Sequence, residues 1–364
     1  MMKMDRKQQC LLLDGVCYTP EDVARIVDRG AEGMAPGHRD LFVFLQRWLD
    51  DSPFLTVHTS GSTGVPKELV VRKEQMMQSA RLTCEFLGLK EGDPALLCMN
   101  LRYIGAMMVV VRALVAGLNL LVRPASGHPL ADVREPLRFA AMVPLQVYHS
   151  LQVDEERRQL YQTDNLIIGG GAVDEALERE LKGLPTAVYS TYGMTHIALR
   201  RLSGPQASER YTPFPSVDLS LAADDTLIIR APLVCDEPLY THDMARLYPD
   251  GTFTILGRMD NVINSGGVKI QAEEVERILR PLLACPFVVT SVPDVRLGQA
   301  VTLLVEGKED VSVLEEVLRR TLPPYHRPRH ILFTERIPQT GNGKIGRAAC
   351  RELAERIYSG KSTL

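Results

Sequence analysis

A stretch rich in hydroxyl groups and glycines, TSGSTGVPK (residues 59–67), ends in a single lysine and lies between two apolar segments. Glycines let a backbone approach an anion closely, hydroxyls and free N–H groups donate to its oxygens, and a lysine adds positive charge. The stretch departs from the Walker A pattern, because Pro66 stands five residues after Gly61 and Glu68 follows Lys67. The residues alone leave two interpretations open, a phosphate-binding loop and a solvated surface loop.

Two further glycine-containing segments each follow a predicted strand. Residues 169–173 read GGGAV after the apolar NLII, and residues 190–195 read STYGMT after TAVY. Ligands of open α/β sheets bind beyond the carboxyl ends of the strands. There the ring of Tyr192 could stack on a flat base and Thr195 could donate to phosphate. A tight strand-to-helix turn and a buried turn tyrosine explain the same residues without a ligand.

An aspartate and a lysine later in the chain could also contact a nucleotide. Asp243, in YTHDMARL, is of the type that accepts hydrogen bonds from both hydroxyls of a ribose. A turn or cap position would favour an aspartate equally well. Lys344 stands after two glycines in PQTGNGKIGR, where a lysine is either a movable point charge or a solvated loop side chain.

The elements that must position these residues alternate between strands and helices. Short apolar segments separated by helical ones, such as residues 73–87, 104–116 and 173–181, predict βαβ units and a largely parallel sheet. Residues 217–256 predict a small antiparallel β layer. After GRMDN (residues 257–261) the pattern becomes a compact β-α-β-α-β-α module.

The predicted fold is therefore α/β with two domains. The larger N-terminal domain, residues 1–259, combines mainly parallel sheets with the small β layer. The smaller domain, residues 260–364, is an α+β module of a usual domain size, and we expect it to move about Asp260.

Composition excludes several classes of function. The chain has 364 residues and a net charge of −3, which argues against a general affinity for nucleic acid or anionic membrane. Its seven scattered cysteines form no metal-ligand spacing and suit a reducing, cytoplasmic location. The N-terminus has a basic start but no signal-peptide pattern. The apolar residues 104–122 contain Arg112 near their middle, which predicts a buried helix and a core strand rather than membrane insertion.

Together, in this order, the five stretches resemble the acyl- and aryl-adenylating enzymes, which include acyl-CoA synthetases, adenylation domains of peptide synthetases and firefly luciferase. The family's phosphate loop is similar to residues 59–67, its YGxTE element to residues 192–195 and its GRxDD hinge to residues 257–261. Its ribose aspartate and C-terminal lysine match Asp243 and Lys344. GRMDNVINSGGVKIQAEEVE, AAMVPLQVY, HIALRRLSG and the short stretch of 58 residues before the loop resemble the short o-succinylbenzoate–CoA ligases of menaquinone biosynthesis.

The resemblance implies a two-step ligase that uses ATP, Mg²⁺ and coenzyme A. A substrate carboxylate attacks the α-phosphate of ATP, which gives an acyl-adenylate and pyrophosphate. The thiol of coenzyme A then attacks the acyl carbon and AMP leaves. The implied partners are small molecules, without nucleic acid, and a homo-oligomer is left open.

The resemblance also implies a role for each matching residue. The phosphates would be held by Thr59, Ser60, Gly61, Ser62, Thr63, Gly64 and Lys67, and the rest of the nucleotide by Gly170, Gly171, Tyr192, Gly193, Met194, Asp243 and Arg258. Thr195 and Lys344 would be catalytic at the α-phosphate, and Asp260 would be the hinge. Gly266 and Gly267 would leave room for coenzyme A. Ser190 and Gly193 would line the acyl pocket, with Arg200, Arg201 or Lys269 binding a second carboxylate.

One position departs from the family pattern. His196 stands directly after Thr195, where the family has an acid that ligates Mg²⁺, and the next acid is Glu209. Histidine does not supply the hard anionic oxygen that Mg²⁺ prefers. The metal ligand is therefore unknown, and we expect poor ATP turnover unless another acid substitutes. Two alternatives stay open: a ligase for another aryl or fatty acid, and a nucleotide-binding protein without catalysis.

Overall fold

A computed structural model describes residues 2, 4–30, 33–59, 67–171, 173, 175–193, 197–340 and 345–361. The α-helices in these ranges are α1 (Pro20–Asp28), α2 (Pro36–Leu49), α3 (Lys73–Leu87), α4 (Ile104–Ala116), α5 (Pro144–Gln152), α6 (Asp154–Tyr161), α7 (Glu175–Lys182), α8 (Ala272–Leu279), α9 (Val311–Thr321) and α10 (Arg347–Lys361). The first eleven strands are β1 (Leu11–Leu13), β2 (Val16–Tyr18), β3 (Phe54–Thr59), β4 (Lys67–Arg72), β5 (Pro94–Leu97), β6 (Asn119–Val122), β7 (Leu137–Met142), β8 (Thr163–Ile168), β9 (Ala187–Tyr192), β10 (Ala198–Arg201) and β11 (Thr212–Pro213). The others are β12 (Asp218–Leu221), β13 (Thr226–Arg230), β14 (Leu239–Leu247), β15 (Phe253–Arg258), β16 (Val262–Ser265), β17 (Val268–Gln271), β18 (Phe287–Asp294), β19 (Gly298–Glu306) and β20 (His330–Thr334).

A nine-stranded sheet forms the centre of the larger part of the chain. Its strand order is β11-β10-β9-β8-β7-β5-β6-β1-β2, and the pairs from β9 through β8, β7, β5 and β6 to β1 are all parallel. The edge pairs β1–β2, β9–β10 and β10–β11 are antiparallel. The parallel sheet predicted from the alternation of strands and helices is confirmed.

Both faces of this sheet are buried, which explains why its strands read as continuous apolar runs. On one face, Leu97 and Phe139 join a core with α2, α3 and α4. On the other, Leu96 and Ala140 join a core with α5, α6 and α7. Because successive side chains of a strand point to opposite faces, neighbouring residues such as Leu96 and Leu97 enter different cores.

Helix α4 and strand β6 confirm the prediction for the apolar segment. Every residue of α4 except Gly105 is buried, and the helix ends at Gly117 in the left-handed conformation with φ 71°. The guanidinium of the buried Arg112 lies 6.0 Å from the centroid of the Phe139 ring. Within the described ranges, no helix combines the length and the apolar character that crossing a membrane requires.

The remaining strands form smaller sheets. The hairpin β3–β4 stands beside the main sheet, and β12-β13-β14-β15 form the antiparallel layer predicted for residues 217–256. In the C-terminal part, β16–β17 and β18–β19 are hairpins, and β20 pairs in parallel with β19. The predicted β-α-β-α-β-α order was therefore too simple, because hairpins stand at two places where it has single strands. The sequence analysis also placed the start of α7 at residue 173 rather than Glu175, and it did not predict α1, α2, β1 or β2.

An ion pair with a buried carboxylate joins two helices of the C-terminal part. Arg347, the first residue of α10, donates from Nη1 and Nη2 to the two carboxylate oxygens of Glu276 on α8, at 3.0 and 2.7 Å. Glu276 is 2% exposed and also accepts a hydrogen bond from the backbone N–H of Val289 at 2.8 Å. Since a buried carboxylate without its cation is strongly destabilising, this contact fixes α10 against α8.

We predict that Arg347→Met lowers the free energy of unfolding by about 3–5 kcal/mol, because Glu276 then stays buried without its partner. Urea denaturation measures the change. The control is Arg319→Met, which breaks an exposed pair with Glu316 within α9 and should cost less than about 0.5 kcal/mol. Adding Glu276→Gln to Arg347→Met should recover part of the loss, and no recovery would contradict the account.

Candidate active site

The parallel strands bring several of the predicted site residues to one edge of the main sheet. The strands β5 to β9 end with their carboxyl ends on the same side, and Gly170 and Gly171 follow β8 directly. Tyr192 is the last residue of β9, and Gly193 follows it in the left-handed region with φ 85°. This edge is where ligands bind in open α/β sheets.

The glycines after β8 pack against the start of α5. A side chain at Gly170 would place its Cβ 3.4 Å from Val143, and one at Gly171 would lie 3.3 Å from Pro144. The positive φ of 76° at Gly170 and the nearby side chain of Pro144 at Gly171 explain both glycines in part without a ligand. A contact with adenine on their other side stays a prediction.

The centre of the candidate site is the carboxylate of Asp243. The hydroxyl of Tyr192 donates to its Oδ2 at 2.5 Å, and Nη1 of Arg258 donates to its Oδ1 at 3.3 Å. Burial, with the charge of Asp243, raises the pKa of Tyr192, so that its hydroxyl stays protonated and remains a donor. Asp243 lies opposite Arg258 in the pairing of β14 with β15, which fixes the second contact.

In this arrangement the carboxylate of Asp243 can still accept further hydrogen bonds. Two carboxylate oxygens offer about four acceptor sites, and Tyr192 and Arg258 each use one. The Asp243 side chain is 21% exposed, so another ligand can reach it. A pair of neighbouring hydroxyl groups, such as those of a ribose, matches the two remaining acceptors.

Arg258 also connects this carboxylate to the residue predicted to be the hinge. Its Nη2 and Nε lie 2.9 and 3.3 Å from Oδ2 of Asp260, which belongs to a short 3₁₀-helix between β15 and β16. Nδ1 of His242 lies 3.0 Å from the other oxygen of Asp260. The hydrogen bond with His242 and then that with Arg258 lower the pKa of Asp260.

The chain after the hinge packs closely against the backbone before it. Nε2 of Gln271 donates to the carbonyl of Arg258 at 3.1 Å, and a Cβ at Gly257 would collide with that nitrogen. Gly257 has φ 154°, a conformation that other residues rarely adopt. The glycine before the hinge is therefore needed for the two parts of the chain to approach in this way.

Gly266 and Gly267 form the turn of the β16–β17 hairpin. Their φ angles are 60° and 84°, and positive values at both central residues favour glycine in such a turn. A Cβ at Gly266 would also lie 2.9 Å from the Leu297 side chain. The hairpin accounts for both residues, and their contact with coenzyme A stays a prediction.

The candidate residues of the acyl pocket lie on one face beside Tyr192. The hydroxyl of the buried Ser190 is 3.1 Å from that of Tyr211. Arg200 is directly opposite Ser190 on β10, and its guanidinium lies 5.7 Å from the centroid of the Tyr211 ring. Directly opposed residues share a face of a sheet, so that Ser190, Tyr211 and Arg200 lie together.

The three side chains that are candidates for binding a second carboxylate lie in different places. Arg200 binds both carboxylate oxygens of Glu178, at 3.3 and 3.1 Å. Arg201 lies on the opposite face and donates to the hydroxyl of Tyr189 at 2.8 Å, and Lys269 is exposed on β17. Arg200 is thus the candidate that shares a face with Ser190.

Several predicted site residues lie outside the described part of the chain: Ser60, Gly61, Ser62, Thr63, Gly64, Met194, Thr195, His196 and Lys344. Of the predicted phosphate loop, Thr59 ends β3 and Lys67 begins β4, and the two are directly opposite in the hairpin. Three residues that contact the site were not predicted, His242, Tyr211 and Glu178, because their contacts join residues far apart in the chain.

No group of three or more His, Cys, Asp or Glu side chains that could hold a metal ion occurs among the described residues. Carboxylates near the site are used otherwise: Asp243 and Asp260 share Arg258, and Glu178 binds Arg200. The described residues therefore do not fit a dedicated magnesium site.

Known proteins similar to this chain include several ligases. The 2-succinylbenzoate–CoA ligase of Escherichia coli (strain K12) is 26% identical over 318 residues, which cover 82% of this chain and 68% of the relative. A probable 2-succinylbenzoate–CoA ligase of Mycobacterium tuberculosis is 28% identical over 332 residues, covering 83% and 84%.

Solved structures agree in fold. An acyl-CoA synthetase (AMP-forming)/AMP-acid ligase II-like protein from Dyadobacter fermentans is 32% identical with a TM-score of 0.60, covering 86% of this chain and 93% of that one. ATP-bound MatB from Rhodopseudomonas palustris is 18% identical with a TM-score of 0.73, covering 83% and 68%, which shows a shared fold.

Family comparisons match both parts of the chain. Residues 20–229, more than half of the chain, match the AMP-binding enzyme family, and residues 284–344 match the AMP-binding enzyme C-terminal domain. The second match begins after Asp260, the residue predicted to be the hinge. The chain belongs to the AMP-binding enzyme family.

Proposed function

We propose that this chain is an AMP-forming ligase that joins 2-succinylbenzoate (o-succinylbenzoate) to coenzyme A in menaquinone biosynthesis. The observation that carries the proposal is the Asp243 carboxylate, which Tyr192 and Arg258 orient while two acceptor sites remain. This arrangement supports the binding of a ribose. Relatives named 2-succinylbenzoate–CoA ligase, similar over about four fifths of the chain, support the choice of acid.

The first step joins the acid to AMP. A carboxylate oxygen of the substrate attacks the α-phosphorus of ATP, a P–O bond forms, and the bond to pyrophosphate breaks. Asp243 would hold the ribose, Gly170, Gly171 and Tyr192 would lie beside the adenine, and the loop from Thr59 to Lys67 would hold the departing phosphates. Lys344 and Thr195 would stabilise the charge that grows at the α-phosphate.

The second step releases AMP. The thiol of coenzyme A loses its proton and attacks the acyl carbon, a C–S bond forms, and the bond to the AMP oxygen breaks. The unit after Asp260 would rotate between the steps, withdrawing Lys344 and bringing the Gly266–Gly267 turn towards the acyl-adenylate. Arg200 would exchange its contact with Glu178 for the second carboxylate of the substrate, since it lies beside Ser190 on the face of the sheet that carries Tyr192.

Magnesium would enter with ATP. Mg²⁺ is usually bound through substrate phosphates with one or two carboxylates and several waters, rather than by an all-protein cage. Because the acid of the family pattern is absent after Thr195, slow ATP turnover stays a prediction. A cytoplasmic location likewise stays a prediction.

The proposal predicts that the protein converts 2-succinylbenzoate, ATP and coenzyme A to the acyl-CoA, AMP and pyrophosphate when Mg²⁺ is present. Mass spectrometry of the acyl-CoA product measures the reaction, with benzoate and a series of fatty acids as alternative substrates. Preference for one of those acids would replace the proposed substrate but not the reaction. ATP binding without any acyl-adenylate would instead indicate a non-catalytic nucleotide-binding protein.

We predict that Asp243→Ala removes the discrimination between ATP and 2′-deoxy-ATP. A hydrogen bond to a charged group contributes about 1.5–3 kcal/mol, so the unchanged protein should prefer ATP by about tenfold or more in kcat/KM. In the variant the preference should fall to within about twofold, because the acceptor is gone. Asp218→Ala, an exposed aspartate of the same small sheet, is the control. An unchanged preference in Asp243→Ala would place the ribose elsewhere.

We predict that Lys344→Ala separates the two steps. Formation of the acyl-adenylate should slow by about 10²–10³-fold, the usual effect of losing one preorganised charge contact. Thioester formation from synthetic acyl-adenylate should be nearly unchanged, because the lysine is withdrawn in that step. Single-turnover measurements of both steps test this, with the exposed Lys308→Ala as control. Equal losses in both steps would contradict rotation of the C-terminal unit.

A further inference from the structure

The hinge carboxylate is held from both sides by side chains of the larger part of the chain. Oδ1 of Asp260 is 3.0 Å from Nδ1 of His242, and Oδ2 accepts from Nη2 and Nε of Arg258. The backbone carbonyl of Asp260 also accepts from Nη2 of Arg351 on α10, at 3.4 Å. One residue therefore receives contacts from β14, from β15 and from the C-terminal helix.

The two side chains that hold the carboxylate differ in how they respond to pH. Arginine stays charged at any physiological pH. Histidine is the side chain whose ordinary pKa lies in the neutral range. The pKa of Asp260 is lowered by both contacts, so the carboxylate is ionised throughout that range. The contact between His242 and Asp260 is an ion pair only when the imidazole is protonated.

Several charged and titratable groups surround the contact between His242 and Asp260. On β14, Asp243 follows His242 and binds Arg258 and Tyr192 rather than the imidazole. From the end of β15 and the hinge come Arg258 and Asp260. From the C-terminal part, Arg351 of α10 donates to the backbone carbonyl of Asp260, and Glu273 of α8 accepts a hydrogen bond from the side chain of Asn261. His242 and Asp260 are 62% and 52% exposed at their side chains, so the strength of their contact is that of a surface pair.

We propose that His242 is a positioning residue for the reaction, which acts through Asp260 as a pH-dependent latch on the hinge. When the imidazole is protonated, its attraction to Asp260 holds the C-terminal unit in the orientation of this structure. When the imidazole is neutral, the latch weakens and the unit rotates more readily. The inference rests on the proposed function, in which rotation about Asp260 separates the two steps of the reaction.

Förster resonance energy transfer between two dyes tests the latch in the full chain. The dyes are attached at the positions of Glu155 and Glu352, which are both exposed. Between pH 8 and pH 6, the ratio of the two domain orientations should change by about two- to fivefold, the range expected for an exposed ion pair. His242→Gln keeps a donor but cannot be protonated in this range, so its ratio should not change. Asp260→Asn removes the opposite charge and should also abolish the response.

The matched control is His38→Gln. His38 forms another histidine–aspartate pair, with Asp14 at 3.7 Å, far from the hinge in the chain. This variant should keep the pH response of the unchanged protein. A pH response that persists in both His242→Gln and Asp260→Asn would overturn the proposal, as would the absence of any response in the unchanged protein.

Single-turnover rates of the two half-reactions separate this inference from the proposed function. Between pH 8 and pH 6, the ratio of the two rates should change by about two- to fivefold more in the unchanged protein than in His242→Gln. If both half-reactions proceed and neither readout depends on His242, the latch is wrong and the proposed function stands. If the orientations respond to pH through His242 but no acyl-adenylate forms, the latch stands and the proposed function is wrong.

Discussion

The candidate site depends on the two hydrogen bonds that the carboxylate of Asp243 accepts, one from Tyr192 and one from Arg258. Its two donors come from different sheets: Tyr192 ends a parallel strand of the main sheet, and Arg258 ends a strand of the small antiparallel sheet. The hydroxyl–carboxylate distance of 2.5 Å therefore requires the two sheets to keep a fixed relation at this point. The core that joins them contains Phe253 and Ile197, with Tyr192 packed against it. Packing between the two sheets thus sets the direction of the acceptor.

The contact between Asp243 and Arg258 also requires the observed pairing register of β14 and β15. Asp243 faces Arg258 because β14 and β15 pair directly at these residues, and an irregularity follows between Met244 and Ala245. A shift by one residue would move the side chain of Asp243 to the other face of the sheet. The same register places His242 beside Asp260, the predicted hinge. One pairing therefore supplies both the candidate nucleotide contact and the hinge contact.

Some of this could be predicted from the sequence, because it depends on local patterns. Helices α3 and α4 have the predicted bounds, since each is followed by a glycine in the left-handed conformation, Gly88 and Gly117. The order of the motifs identified Tyr192, Asp243, Arg258 and Asp260 as site candidates. Their contacts could not be predicted, because Tyr192 and Asp243 are 51 residues apart and meet only through two sheets. Strands β1 and β2 were missed for a similar reason, as β1 pairs with β6, more than a hundred residues later in the chain.

The strengths of the ion pairs match the motion that the proposed reaction requires. At the hinge, the side chains of Arg258, Asp260 and His242 are 39%, 52% and 62% exposed, and such pairs contribute up to about 1 kcal/mol each. Inside the C-terminal part, Glu276 is buried and Arg347 is 24% exposed, and removing the cation from this buried carboxylate should cost about 3–5 kcal/mol. Rotation that breaks only the exposed pairs would therefore leave the C-terminal unit intact. Strong contacts within that unit and weak ones at the hinge would allow it to move as a rigid body about Asp260 without unfolding.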